Sequence, residues 1–146
     1  MKPHISDNEA EIIANFAAEV ISTLGLGRWR VLVMTDPSEK GTIATVTYVE
    51  NRYVAELRVS KDWISRKSEE KYEAIIHECL HLLHLRVNQV LQDLEKVTLP
   101  HQLDTAWLHY TREIEYMVDR LATYVAMDPH LKAVWENVRV YDETKD

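Results

Sequence analysis

Cysteine is almost missing from this chain: Cys79 is the single one among 146 residues. An intrachain disulfide is therefore excluded, and with it the framework by which small secreted domains replace a large core. A basic surface is missing too. Lys and Arg number 17 against 24 Asp and Glu, a formal net charge of −7, and no long basic patch occurs. That balance argues against nucleic acid or an anionic membrane as the main partner. No uncharged apolar run approaches the length of a bilayer span. The first ten residues hold no apolar segment and carry acids where a secretion signal would not. A cytoplasmic protein is expected. Repeats, low-complexity tracts and Gly/Ser linkers are also lacking, so we expect one domain over residues 1–146, long enough to bury a core.

What is present reads as helix, then strands, then helices. Ser6 with Glu9 three residues later is the signature of a capping box. Ile12, Ile13, Phe16, Val20, Ile21 and Leu24 follow at helical spacing, and Gly25 and Gly27 end the run. Three strand-like runs come next. Residues 29–35 are apolar and β-branched, and residues 36–41 form a loop. Residues 42–49 make the clearest strand by composition. A tight connection at residues 50–52 leads to residues 53–60, which alternate apolar and polar side chains. The last two runs predict a hairpin, with residues 53–60 as its half-polar edge strand. From residue 61 onward the pattern is helical. A first turn at 62–65 precedes a long helix over 69–97, which Leu99 and Pro100 break. A second long helix covers 101–127, and Asp128 and Pro129 break it in turn. A short helix follows with Leu131, Val134, Trp135 and Val138 as its apolar stripe, and residues 141–146 form a polar tail expected to fray. The fold class expected is α+β: an N-terminal helix, a small three-stranded sheet, an antiparallel pair of long helices and a short C-terminal helix.

The first long helix carries the chemistry, in the string His77-Glu78-Cys79-Leu80-His81. Two histidines four residues apart sit one turn above each other, so both rings can reach one metal ion. Glu78 can reach a metal-bound water without being a ligand. This is the His-Glu-x-x-His arrangement of zinc peptidases, with Glu78 as general base. Cys79 lies on the apolar side with Ile75, Leu82 and Leu83, which makes it a core residue.

Catalytic zinc takes three protein ligands and keeps a fourth position for water. The candidates after His81 are His84, His101, Asp104, His109, Glu113, Glu115 and Asp119. Both long helices rise about 1.5 Å per residue. If they turn near Thr98 and Leu99, the residue returning to the level of His81 is Glu115, and the residue matching His77 is Asp119. Helical phase agrees. Glu115 falls within the apolar stripe of Trp107, Leu108, Ile114, Val118, Leu121, Ala122, Val125 and Ala126, and Asp119 at its margin. Glu113 falls on the polar side with Tyr116 and Arg120. An acid on a buried face is costly unless it is paired or metal-bound. His84, seven after His77 on nearly the same face, is an alternative candidate that could bind metal one turn further along.

His77-Glu78-x-x-His81 followed by Glu115-x-x-x-Asp119 resembles the gluzincin metallopeptidases, whose best-known members are thermolysin-like. The resemblance covers roughly residues 29–127 and looks like the small single-domain zincins of microbial and phage genomes. It implies a zincin-like fold and a Zn²⁺ ion on His77, His81 and Glu115, with Asp119 bonding the first histidine. It further implies hydrolysis of peptide bonds by a zinc-activated water, with Glu78 as the base. A peptide or protein is then the substrate, paired along the edge strand at residues 53–60. Two departures stand out. Ile114 occupies the place of the family's usual Asn, and no second subdomain supplies the histidine that stabilises the transition state. His101, His109, Tyr110 or Tyr116 could replace that histidine, and nothing in the sequence selects one. The competing expectations are a zinc-binding regulatory or interaction protein without turnover, and a metal-free helical protein.

Overall fold

The computed structural model describes residues 4–49, 52–94, 96–97 and 100–143. Helix α1 (Asp7–Thr23) starts where Ser6 accepts the Glu9 amide at 3.1 Å. The second half of the expected capping box does not form. The Glu9 carboxylate turns inward and accepts the Trp63 indole N–H at 2.8 Å. A fully buried indole N–H needs a partner more than an exposed helix end does. The helix stops in a Schellman turn: Leu26 donates to Ile21 and Gly25 to Ser22, with Gly25 at φ +72°, where a side chain would be strained.

The strands are β1 (Arg30–Val33), β2 (Ala44–Tyr48) and β3 (Val54–Val59). They form one mixed sheet in the order β1-β3-β2, with β3 parallel to β1 and antiparallel to β2. The β2–β3 hairpin is as expected, although residues 50 and 51 of its connection lie outside the described residues. The edge assignment is corrected. The segment at 53–60 supplies the central strand, and β2 is an edge. Alternation along β3 arises because Ala55, Leu57 and Val59 face the core, at 0, 1 and 0% exposure. Such a pattern marks a strand with one buried face, whether it lies at the edge or in the centre.

The helix expected over 69–97 is also corrected. It divides into α2 (Ser68–Leu80), a 3₁₀ turn (His81–Leu83) and α3 (Leu85–Leu94). Leu82 and Leu85 are both buried, at 2 and 6%, while Leu83 is 46% exposed. Both leucines stay on the core side across the turn, as residues three apart share a face. Beyond it, α4 (Pro100–Val125) packs on α2, and α5 (Pro129–Glu143) packs on α1. The turn expected at Thr98 and Leu99 lies outside the described residues. Asp128 Oδ1 caps α5 by accepting the Leu131 amide at 3.0 Å, with Pro129 at the first helical position. The helix continues into the segment expected to fray, which is described only to residue 143.

The core gathers α1, β3, α2 and α5. Phe16, Tyr72 and Trp135 meet at its centre with ring centroids 4.9–6.1 Å apart. Tyr72 donates to the Ala126 carbonyl at 2.8 Å, and Trp135 donates to Ser68 Oγ at 2.9 Å. These bonds fix α2 against the end of α4 and against α5. Among the described residues, no helix is long and apolar enough to cross a membrane.

Candidate metal centre

A large cavity opens between β2, α2, α4 and α5, with His77, Glu78, His81, Glu115 and Asp119 on its wall. The last turn of α2 and the 3₁₀ turn after it aim the His77 and His81 rings into it, and α4 brings the acids from the other side. His77 Nε2 and His81 Nε2 stand 3.1 Å apart. Glu115 turns one carboxylate oxygen to each ring, 3.1 Å from His81 Nε2 and 3.6 Å from His77 Nε2. Asp119 approaches the far side of the first ring, with Oδ1 3.2 Å from His77 Nδ1. Glu78 Oε1 is 4.0 Å from His77 Nε2. The α4 register expected from reflection therefore holds, with Glu115 opposite both histidines and Asp119 opposite His77.

Two sets of three potential ligands lie within 4.8 Å of one another, His77–Glu78–His81 and His77–Glu115–Asp119. The atoms decide which of these can share a centre. Asp119 meets His77 at Nδ1, away from the side where the two Nε2 atoms converge. Glu78 is farther from His77 Nε2 than Glu115 is. His77 Nε2, His81 Nε2 and the Glu115 carboxylate are left on one side. Donors about 2.0–2.1 Å from one tetrahedral ion stand about 3.3 Å apart. Here the two Nε2 atoms are 3.1 Å apart, and the Glu115 carboxylate reaches His81 Nε2 with Oε1 at 3.1 Å and His77 Nε2 with Oε2 at 3.6 Å. The residues fit such an ion.

Hydrogen bonding sharpens that fit. Asp119 accepts at His77 Nδ1, so in the neutral ring this nitrogen carries the proton and Nε2 is bare. Behind His81, Nδ1 is 2.7 Å from His84 Nε2, and His84 Nδ1 is 3.2 Å from Asn88 Oδ1. Asn88 Oδ1 can only accept. His84 therefore donates from Nδ1 and accepts at Nε2, so His81 carries its proton on Nδ1. Two lone pairs then face each other at 3.1 Å, an arrangement that repels unless a cation lies between them.

The electrostatics agree with a neutral His81 ring. Burial, with the neighbouring His77 and His84, pushes His81 down to about 4. Burial chiefly, then the Glu115 charge, pushes Glu78 up to about 8, against a bond from the Val46 amide that lowers it. Cys79 is 3% exposed and burial raises its thiol to about 12, so it stays a core residue. One premise needs correction. Glu115 is not desolvated: its side chain is 50% exposed and that of Asp119 67%. Much of the α4 surface around them meets solvent; of the expected stripe, Val118 is buried in the core, Trp107, Ile114, Ala122 and Ala126 line the cavity, and Leu108 is exposed.

Of the four candidates for transition-state stabilisation, Tyr110 is on the cavity wall, its hydroxyl 3.4 Å from His84 Nδ1 and from the His84 carbonyl. Tyr116 is turned outward and bonds Arg120, while His101 and His109 are exposed and away from the cavity wall. Two contributions were not anticipated from sequence, the Val46 amide at Glu78 and Asn88 behind His84. Asn88 follows His84 by four residues, a spacing that was visible. Val46 could be found only once β2 was known to border α2. No protein-family model, curated protein or solved structure matches the chain.

Proposed function

We propose that this protein is a zinc-dependent metallopeptidase of gluzincin type, with His77 Nε2, His81 Nε2 and the Glu115 carboxylate as ligands. The observation that carries the reading is the convergence of the two Nε2 atoms and the Glu115 carboxylate, with Asp119 at His77 Nδ1 and His84 Nε2 at His81 Nδ1 behind the rings. Bound there, Zn²⁺ would supply a Lewis acid for a carbonyl oxygen and acidify a water. Asp119 holds the His77 ring by accepting its Nδ1–H. Glu78 takes the proton of the attacking water on its carboxylate and delivers it to the amine nitrogen as the C–N bond breaks. The Val46 N–H fixes where the carboxylate points.

The substrate-pairing strand moves from its expected position to β2. Val49 donates to Val54 and Ser60 to Ile43, so odd-numbered residues of β2 bond inward to β3. The peptide groups of Ala44 and Val46 then point away from β3, and both residues line the cavity. With the Val46 N–H taken by Glu78, the Ala44 peptide groups and the Val46 carbonyl are left to pair with an extended peptide, which fits strand addition as the mode of binding.

The test is metal content by elemental analysis, anomalous scattering at the zinc edge, and cleavage of a peptide library. About one zinc per chain with cleavage supports the proposal. Protein that contains no transition metal and takes none up on titration overturns it. The second reading, a zinc-binding regulatory protein without turnover, is favoured by the Tyr110 hydroxyl being turned toward His84. Zinc without cleavage of any peptide would select it.

A further inference from the structure

His84 was a candidate ligand, and its place in the fold argues for a different task. The chain tightens from α-helix to 3₁₀ turn at His81–Leu83, where residues three apart eclipse. That step sets the His84 ring directly against the outer side of the His81 ring, centroids 5.0 Å apart and nearly perpendicular. His84 is 8% exposed. Both of its nitrogens are engaged, Nε2 with His81 Nδ1 at 2.7 Å and Nδ1 with Asn88 Oδ1 at 3.2 Å. Neither nitrogen faces the side where His77, His81 and Glu115 converge.

We propose that His84 is a positioning residue, accepting the Nδ1–H of His81 through Nε2 and so fixing the tautomer and angle of that ring, with Asn88 fixing His84 in turn. The metal-binding consequence rests on the zinc reading above; the tautomer itself does not. Each histidine of the pair then has its own outer partner, Asp119 for His77 and the His84–Asn88 relay for His81. The two devices differ in charge. Asp119 contributes a carboxylate on α4, whereas the relay is neutral and local to the α2–α3 junction. A second carboxylate behind His81 would add negative charge beside Glu78 and Glu115. The neutral relay orients the ring without it.

Two measurements test the inference. The first is ¹⁵N-detected NMR of the metal-free protein at neutral pH, which reads the tautomer of His81 directly. The Nδ1–H form is expected, and it should lose its dominance in His84→Ala. An Nε2–H form in the unsubstituted protein overturns the proposal. The second is Zn²⁺ affinity by competition with a chromophoric chelator. His84→Ala should weaken binding by roughly 10–100-fold, and His84→Gln, which keeps an acceptor at that reach, should recover most of the loss. Asn88→Leu, which leaves both rings in place, should weaken binding about tenfold and serves if His84→Ala does not fold. A loss in His84→Ala as deep as in His81→Ala would make His84 a ligand and overturn the proposal. So would affinity within about twofold of the unsubstituted protein, or a His84→Gln variant no better than His84→Ala. If the unsubstituted protein binds no zinc, the zinc reading falls, and the NMR measurement still decides the relay.

Discussion

At Glu78 two requirements meet: a carboxylate must lie deep enough to hold a proton and near enough to the histidines to use it. Its side chain is 12% exposed, and burial raises its pKa to about 8. In metal-free protein this has a definite sign. Between the ordinary value of 4.5 and about 8, the folded chain holds a proton that the unfolded chain has released, so stability falls as pH rises through that window. His81, lowered from 6.5 to about 4, acts oppositely, and its contribution is lost as pH falls through that range. The two slopes offset between about 4.5 and 6.5, and the Glu78 slope stands alone above. Glu78→Gln should therefore melt higher than the unsubstituted metal-free protein, with a gap that widens from pH 6.5 to 8. Thermal scans in chelator would show this, and a gap independent of pH would refute it. In the zinc-loaded protein, Glu78→Gln should retain the metal while peptide cleavage falls by on the order of 10²–10⁴. Equal cleavage rates would place the activity at another site.

Elements set which acids matter. Because α4 runs back along α2, substitutions on it should rank by the side they face. Glu115→Ala removes a ligand and should nearly empty the site. Asp119→Ala removes the partner of His77 Nδ1 and should cost roughly 10–100-fold in zinc affinity. Glu113→Ala, on the outward side, should leave affinity unchanged. A titration that puts Glu113 above Glu115 would show the α4 register to be wrong. Helix α5 has another task. Leu131 is fully buried and Trp135 reaches Ser68 at the start of α2, so α5 closes the core behind the metal helix. Leu131→Ala should cost about 2–5 kcal/mol of stability in denaturant unfolding. It should leave zinc affinity of the folded protein within about twofold, since none of the ligands lies on α5.

Over the whole molecule, the proposed ligands, from the end of α2, the 3₁₀ turn and α4, come together only in the folded chain, so on that reading zinc should stabilise it by mass action. Free zinc at about 1,000 times its dissociation constant is worth about 4 kcal/mol. Chelation should lower Tm accordingly, and His77→Ala should remove the response. A Tm indifferent to zinc and chelator would contradict the site. Much of the architecture was legible beforehand, because local rules governed it. Helical spacing placed α1 and the Leu131, Val134, Trp135 stripe of α5, β-branched runs placed the hairpin, and the four-residue interval put His77 and His81 on one face. Equal rise per residue on two helices even put Glu115 opposite them. Other features depended on what each segment met in three dimensions. Alternation along residues 53–60 recorded one buried face and was blind to neighbours, so only strand pairing could make β3 central and leave β2 at the cavity. Glu9 suited either a cap or a buried indole, and the fold brought Trp63 to it. At His81 the α-helix gives way to a 3₁₀ turn, and Leu82 within it and Leu85 after it both enter the core. That tertiary arrangement, invisible in a periodic pattern, turned His84 from a candidate ligand into the partner of one.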